Sequence, residues 1–319
     1  MRVPFAGFSA ARLREFAPAL VLAALVVLLA VSTPGFGTPE TLLVVLADTA
    51  TLFVLGVGLT FVILIGGIDL SIQAVASLSS VVVAMLVPRL GYAAFPAALG
   101  AGLLCGLFSG IAHVKLHVPS FIATLAASGV AGGIALLVSG ARAVTIGEAG
   151  RAYLQWVAGS VLGIPAIILL GAMVLVAGML VQRYTPFGRY GLAIGAGEAA
   201  ALASGVRVDR HKMAALAVSG VLASLAGIFL AARMASGSPM LANQLMLPAV
   251  AAVLVGGTAI TGGVGGVGRT LIGALIVSVV RIGMTFLGVN IFAQQILFGA
   301  VLIVAVALTI DRSKIPIVK

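Results

Sequence analysis

Few residues in this sequence have the type and spacing to do chemistry. His113 and His117 stand four apart, which places two ligands on one helix face as a metal pair would be. No third ligand accompanies them, and Pro119 follows closely. With Lys115 between them they read instead as a basic patch at the border of an apolar run. No order of serine, base and orienting acid supports nucleophilic catalysis. Gly263, Gly265 and Gly268 spell a formal G-x-G-x-x-G. Dinucleotide binding also requires a βαβ unit and an acid about 20 residues further on, and the next acid is Asp311. None of Lys115, Lys212, Lys314 and Lys319 follows a glycine as the phosphate loop G-x-x-x-x-G-K-[ST] requires. The chain therefore reads as no enzyme, with no metal site, no cofactor of its own and no route to ATP hydrolysis through that loop. The single Cys105 excludes an intrachain disulfide.

What remains are charges inside apolar runs. Gly66-Gly67-Ile68-Asp69-Leu70-Ser71 follows an uncharged apolar stretch. The glycine pair can break a helix, and a carboxylate at membrane depth is costly enough to have a purpose. Asp69 could hold a substrate hydroxyl, pair with a cation, or cap the helix that begins near Leu70-Ser71. Asp48 and Arg281 are the other charges within apolar spans; they could pair or face a pathway, and nothing in the sequence makes them neighbours. Between Gly256 and Gly268 lies the densest glycine run. It reads as a tight turn between membrane segments, with Thr258 and Thr261 able to satisfy freed backbone groups. The longest polar-flanked interruption is Gly195-Ala-Gly-Glu-Ala-Ala-Ala-Leu-Ala-Ser-Gly205, followed by Arg207, Arg210 and Lys212. A short helix fits there: Gly197 as N-cap, Glu198 in the first turn where the dipole favours an anion, and Gly205 as the stop. Its small residues bury nothing alone, so it is either a docking surface or a linker.

The elements that carry these residues are membrane helices. The chain is 62% hydrophobic and 8% charged, against about 25% charge in a soluble domain. Its 41 glycines suit helices packed closely through small residues. The net charge of +10 invites a nucleic-acid reading, but the basic residues form no long run; they sit between apolar segments, as topology determinants do. Candidate spans fall at 16–31, 42–65, 72–87, 92–112, 119–138, 162–182, 213–232, 247–261, 269–288 and 291–310. The first could also be a signal peptide. The spans at 72–87 and 247–261 are short for a straight crossing, which suggests broken or re-entrant helices. With the N-terminus inside, the inner segments hold Arg2, Arg12, Arg14, Lys115, Arg183, Arg189, Arg207, Arg210, Lys212, Arg269, Arg312, Lys314 and Lys319. The outer ones hold only Arg89, Arg142, Arg151 and Arg233. This bias predicts an all-α polytopic membrane protein of about ten helices with both termini cytoplasmic. The 139–161 segment becomes an outer loop in which Tyr153 and Trp156 serve as interfacial anchors or as a ledge for an external partner.

Together the motifs resemble a known family, the membrane permease subunits of bacterial ATP-binding-cassette sugar importers of the ribose, xylose, arabinose and autoinducer-2 branch. The matching stretches are Thr60-Phe-Val-Ile-Leu-Ile-Gly-Gly-Ile-Asp-Leu-Ser71, Val118-Pro-Ser-Phe-Ile-Ala-Thr-Leu125, Thr185-Pro-Phe-Gly-Arg189, Ala193-Ile-Gly-Ala-Gly-Glu-Ala-Ala200 with Ser204-Gly205, and Val253-Leu-Val-Gly-Gly-Thr-Ala-Ile-Thr-Gly-Gly263. Two features depart from the pattern. Asn243-Gln-Leu-Met-Leu-Pro248 lacks the acidic pair that members often carry there, and Arg281 stands where an asparagine is common.

The resemblance implies one transmembrane domain over 1–319 in the bacterial inner membrane, with a cytoplasmic coupling loop at 183–212. Gly195, Gly197, Glu198, Ala199, Ala200 and Gly205 would contact a cytoplasmic ATPase subunit, which binds the ATP and Mg. A periplasmic sugar-binding protein would deliver a monosaccharide or similar polyhydroxylated solute, and a second permease chain would complete the pathway as a homodimer or heterodimer. Gly66, Gly67, Asp69, Ser71, Thr258, Thr261 and Asn243 would line that pathway or break its helices. The main alternative is an ion-coupled secondary transporter using Asp48 and Asp69. An intramembrane enzyme lacks a nucleophile–base pair, and a branched-chain amino acid permease is opposed by the Gly-Gly-Ile-Asp-Leu-Ser stretch.

Overall fold

The computed structural model describes residues 10–309, with side chains from 17 to 307. In chain order its helices are α1 (Ala10–Ser32), α2 (Pro39–Leu64), α3 (Ile72–Leu90), α4 (Ala94–Lys115), α5 (Ser120–Ser139), the short α6 (Glu148–Arg151) and α7 (Gln155–Ala158), α8 (Ala166–Tyr184), α9 (Pro186–Ala196), α10 (Glu198–Ala203), α11 (Val208–Met234), α12 (Met246–Val255), α13 (Val267–Phe286) and α14 (Ile291–Thr309). Among the described residues strand pairing is limited to two-residue pieces: Val144–Thr145 runs antiparallel to Ser236–Gly237, and Ser160–Val161 to Ile164–Pro165. Six stretches among the described residues are long and apolar enough to cross a membrane, one of them the 44-residue run Ile72–Lys115 that holds α3 and α4. Helices with every backbone group paired internally are what such sequences must form in lipid. The terminal residues on which the predicted orientation partly rests, Arg2, Arg312, Lys314 and Lys319, lie outside the described residues.

Two expectations are corrected. The 72–87 segment is not short: α3 continues to Leu90, because Pro88 falls in its last turn rather than ending it. The 162–182 helix begins only at Ala166, because Ser160–Pro165 turns back on itself through Leu162 and Gly163, both at positive φ. The 247–261 segment is broken as expected. Its helix is only α12, 10 residues long, or about 15 Å at 1.5 Å per residue, half a bilayer core.

Helix α2 is the centre of the packing. From Ala47 to Leu64 every residue is buried, enclosed by α8, α11, α12 and α13. Against α11 lies α4, and there small residues set the distance. A Cβ on Gly102 would fall 2.2 Å from the Gly220 carbonyl oxygen, and one on Gly220 would fall 2.1 Å from that of Gly102. Close backbone approach of this kind is how membrane helices gain dispersion energy without a hydrophobic driving force. The outward faces carry exposed Leu125 and Leu137 on α5, Met173 and Val176 on α8, and Ile303 on α14, a surface suited to lipid. The 140–165 segment folds back onto the bundle. Tyr153 meets Tyr92 edge-on at 5.1 Å between centroids, and Trp156 meets Phe95 the same way at 5.1 Å.

Candidate functional site

The stretch 195–212 forms a bracket at one end of the bundle. Gly197 precedes α10, Glu198 opens it, and Ser204 and Gly205 close it. Gly205 takes a left-handed φ of +81°, its N–H donates to Leu202 O, and the Val206 N–H donates to Ala201 O. This is the Schellman stop, which satisfies carbonyls that a six-residue helix otherwise leaves open. Both carboxylate oxygens of Glu198 accept from Lys212 Nζ, at 2.7 and 2.8 Å. Ala201 is buried beneath, while Ala199, Ala200, Leu202 and Ala203 are exposed. The helix is thus anchored on one side and bare on the other.

Three backbone segments meet under this bracket. A Cβ on Gly195 would lie 2.0 Å from Leu64 O and 2.3 Å from Gly263 N. The Gly263 N–H itself donates to Leu64 O at 3.0 Å. So the end of α2, the glycine run after α12 and the end of α9 touch backbone to backbone, with no side chain between them. Thr258 is buried and accepts from Gly266 N at 3.4 Å, as expected of it. Thr261 does not repeat this; its side chain is exposed. The work falls instead to Gln182, which accepts from Val267 N at 2.8 Å and donates to Gly265 O at 3.2 Å.

The break after α2 is closed by neighbours. Gly66 adopts φ +76°, and the chain runs without helix to Ser71. Its freed groups find α5: Ile68 N donates to Ser120 Oγ at 3.1 Å, Leu70 N to Thr124 Oγ1 at 3.0 Å, and Thr124 Oγ1 donates to Ile68 O at 3.2 Å. Asp69 is 1% exposed. Its Oδ1 accepts from Ser71 N at 2.8 Å and from Ser71 Oγ at 2.6 Å, and its Oδ2 accepts from Ser219 Oγ on α11 at 2.6 Å. It is not the N-cap of α3, which starts at Ile72 after Ser71. It is a bridge between the broken segment and α11.

A family model described as branched-chain amino acid transport system / permease component matches residues 41–306. The ribose import permease protein RbsC of Bacillus subtilis (strain 168) is 36% identical over 304 residues, 95% of this chain and 94% of that one. RbsC of Escherichia coli (strain K12) is 35% identical over 311 residues, 96% of each. The xylose transport system permease protein XylH of the same strain is 39% identical over 151 residues, 47% of this chain and 38% of that one. The chain belongs to the permease subunits of ATP-binding-cassette monosaccharide importers.

At the end of this permease opposite α10, α2, α11 and α13 surround a cavity of about 670 Å³. Asp48 and Arg281, 233 residues apart in sequence, meet on its wall as an ion pair between Oδ1 and Nη2. Asn243 lines the same cavity, with Arg233 at its exposed rim. The structure therefore separates the predicted residues into two groups. Gly66, Gly67, Asp69, Ser71, Thr258 and Thr261 lie toward the α10 end with Gly195 and Glu198; Asn243 stands with Asp48 and Arg281 at the other. Sequence reasoning missed Ser120, Thr124, Gln182 and Ser219. Ser120 and Thr124 fall within the 118–125 stretch that carries the resemblance, without a role assigned to them there; Ser219 is a polar residue inside an apolar run and Gln182 stands at the end of one, next to Arg183.

Proposed function

We propose that the chain is the translocating subunit of an ATP-driven importer for a monosaccharide or similar polyhydroxylated solute in the bacterial inner membrane. It acts as one transmembrane domain of ten helices with both termini cytoplasmic. The observation that carries the reading is α10. A six-residue helix with bare alanines, held from behind by Lys212 and Ala201, fits the cleft of a cytoplasmic ATPase subunit. Gly195, Gly197, Glu198, Ala199, Ala200 and Gly205 form that contact within the 183–212 loop. ATP and Mg bind the ATPase, not this chain. A periplasmic sugar-binding protein delivers the solute, and a second permease chain completes the pathway, because one chain offers one α10 and such ATPases act in pairs. Closure of the ATPases pushes α10, and the backbone junction passes the push to α2 and α13, switching the pathway between two packed states.

The ribose and xylose permeases that the chain is similar to favour sugars, and the carboxylates argue against ion coupling: Asp69 is bonded on both oxygens and Asp48 is paired with Arg281. Purification of the tagged chain in mild detergent from its native host tests the reading. An ATPase should accompany the wild type and be lost with Glu198→Lys, which sets a second cation against Lys212 while leaving the chain inserted. Normal uptake by that variant would sink the coupling role.

A further inference from the structure

The cavity at the far end of α2 contains two buried polar groups that the fold leaves unsatisfied. Asp48 and Thr51 both line it. They are three apart on α2, hence on one helix face. Asp48 is 5% exposed and Thr51 is 2% exposed. Asp48 Oδ1 is paired with Arg281, but its Oδ2 is buried with no partner among the described residues, and the same holds for Thr51 Oγ1. Other threonines of α2 behave differently. Thr41 donates to Gly35 O, Thr49 to Val45 O and Thr60 to Gly56 O. Thr51 could bond back to its own helix as Thr49 does, and it does not. Buried oxygens without partners are uncommon and cost free energy. Two of them, three residues apart on one helix in residues that line a cavity of about 670 Å³, suit a site for hydroxyl groups.

We propose that this cavity is the permease's solute site and that it takes an uncharged polyhydroxylated solute, one hydroxyl of which donates to Asp48 Oδ2 while another bonds Thr51 Oγ1. The proposal rests on the importer reading. The charge balance selects the class. Arg281 is neutralised by Asp48, and Arg233 stands exposed at the rim, so the buried wall carries no net charge. A sugar acid would need a free buried cation, and a zwitterionic amino acid would need the Asp48–Arg281 pair to part. The volume suits a small ligand, and neutral hydrogen bonds of modest strength let it leave again.

The test is uptake by cells lacking the native chain, complemented with variants, using D-ribose, D-xylose and myo-inositol as uncharged polyols, D-gluconate as an acid and L-leucine as a zwitterion. Wild type should take up at least one uncharged polyol and neither of the others. Thr51→Val keeps the shape and removes the unsatisfied hydroxyl. It should leave the melting temperature unchanged or raised, yet increase KM about tenfold, the worth of one hydrogen bond. Asp48→Asn with Arg281→Asn, which keeps the wall neutral, should also raise KM. ATPase co-purification should be normal in all of them, because the changes lie far from α10. Uptake confined to gluconate or leucine, uptake of nothing in the panel, or a KM unmoved by both variants would overturn the site. Loss of the ATPase from the wild-type preparation would instead overturn the importer reading.

Discussion

At the scale of single residues, burial and partners distinguish two aspartates that look equivalent in sequence. Asp69 accepts three hydrogen bonds from its own chain; Asp48 keeps one oxygen open. Asp69 is accordingly a structural bridge. Ser219→Ala removes the donor to Asp69 Oδ2 and leaves a buried carboxylate oxygen bare, at a cost of about 1–3 kcal/mol. A lowered melting temperature in detergent with an unchanged uptake KM is the expected result. A raised KM at unchanged melting temperature would place the solute at Asp69 instead. The sequence exposed the cost of these charges but not their partners. Asp48 and Arg281 are joined only by tertiary packing of α2 on α13, across 233 positions, and no local pattern records such a pairing.

At the scale of elements, α10 was legible because its ends are written in residue types: a glycine before, an acid in the first turn and a glycine at the stop. The junction beneath it was not, because backbone contact leaves no side-chain signature beyond the glycines that permit it. Gly263→Val tests the junction apart from the docking face. Its Cβ would strike the Ala196 amide and the Ala196 Cα, backbone atoms that have no rotamer to retreat into. The exposed side of α10 is untouched. The expected outcome is an ATPase that still co-purifies while uptake falls tenfold or more, the reverse of the Glu198→Lys pattern. Uptake at wild-type rate would show that the junction transmits nothing. The ion pair behind α10 is a lesser matter for stability. Glu198 is 56% exposed, and exposed pairs contribute about 0–1 kcal/mol, so Glu198→Gln should leave the melting temperature nearly unchanged.

At the scale of the whole molecule, three helices connect the two sites. On α2, Asp48 and Leu64 lie roughly 24 Å apart at 1.5 Å per residue. Along α13 run Val267 on Gln182, Thr270 bonded to Thr60 at 2.6 Å, and Arg281 at the cavity. Along α11 run Lys212 on Glu198, Ser219 on Asp69, and Arg233 at the rim. A push on α10 therefore has rigid elements leading to the cavity. This arrangement requires the two sites to face opposite sides of the membrane, and α12 is where that requirement is tightest. Its 10 residues cannot cross alone. The glycine run after it, folded into turns, carries the chain on to the junction, where the Gly263 N–H donates to Leu64 O. Cysteine accessibility checks this directly, because Cys105 is the chain's one cysteine and Cys105→Ser gives a clean background. Met240→Cys, exposed at the cavity end, should react with a membrane-impermeant maleimide in intact spheroplasts. Thr261→Cys, exposed at the junction end, should react only in inside-out vesicles. Labelling of both from one side would make α12 re-entrant, reduce the proposed ten crossings to nine, and separate the cavity from the proposed delivery side.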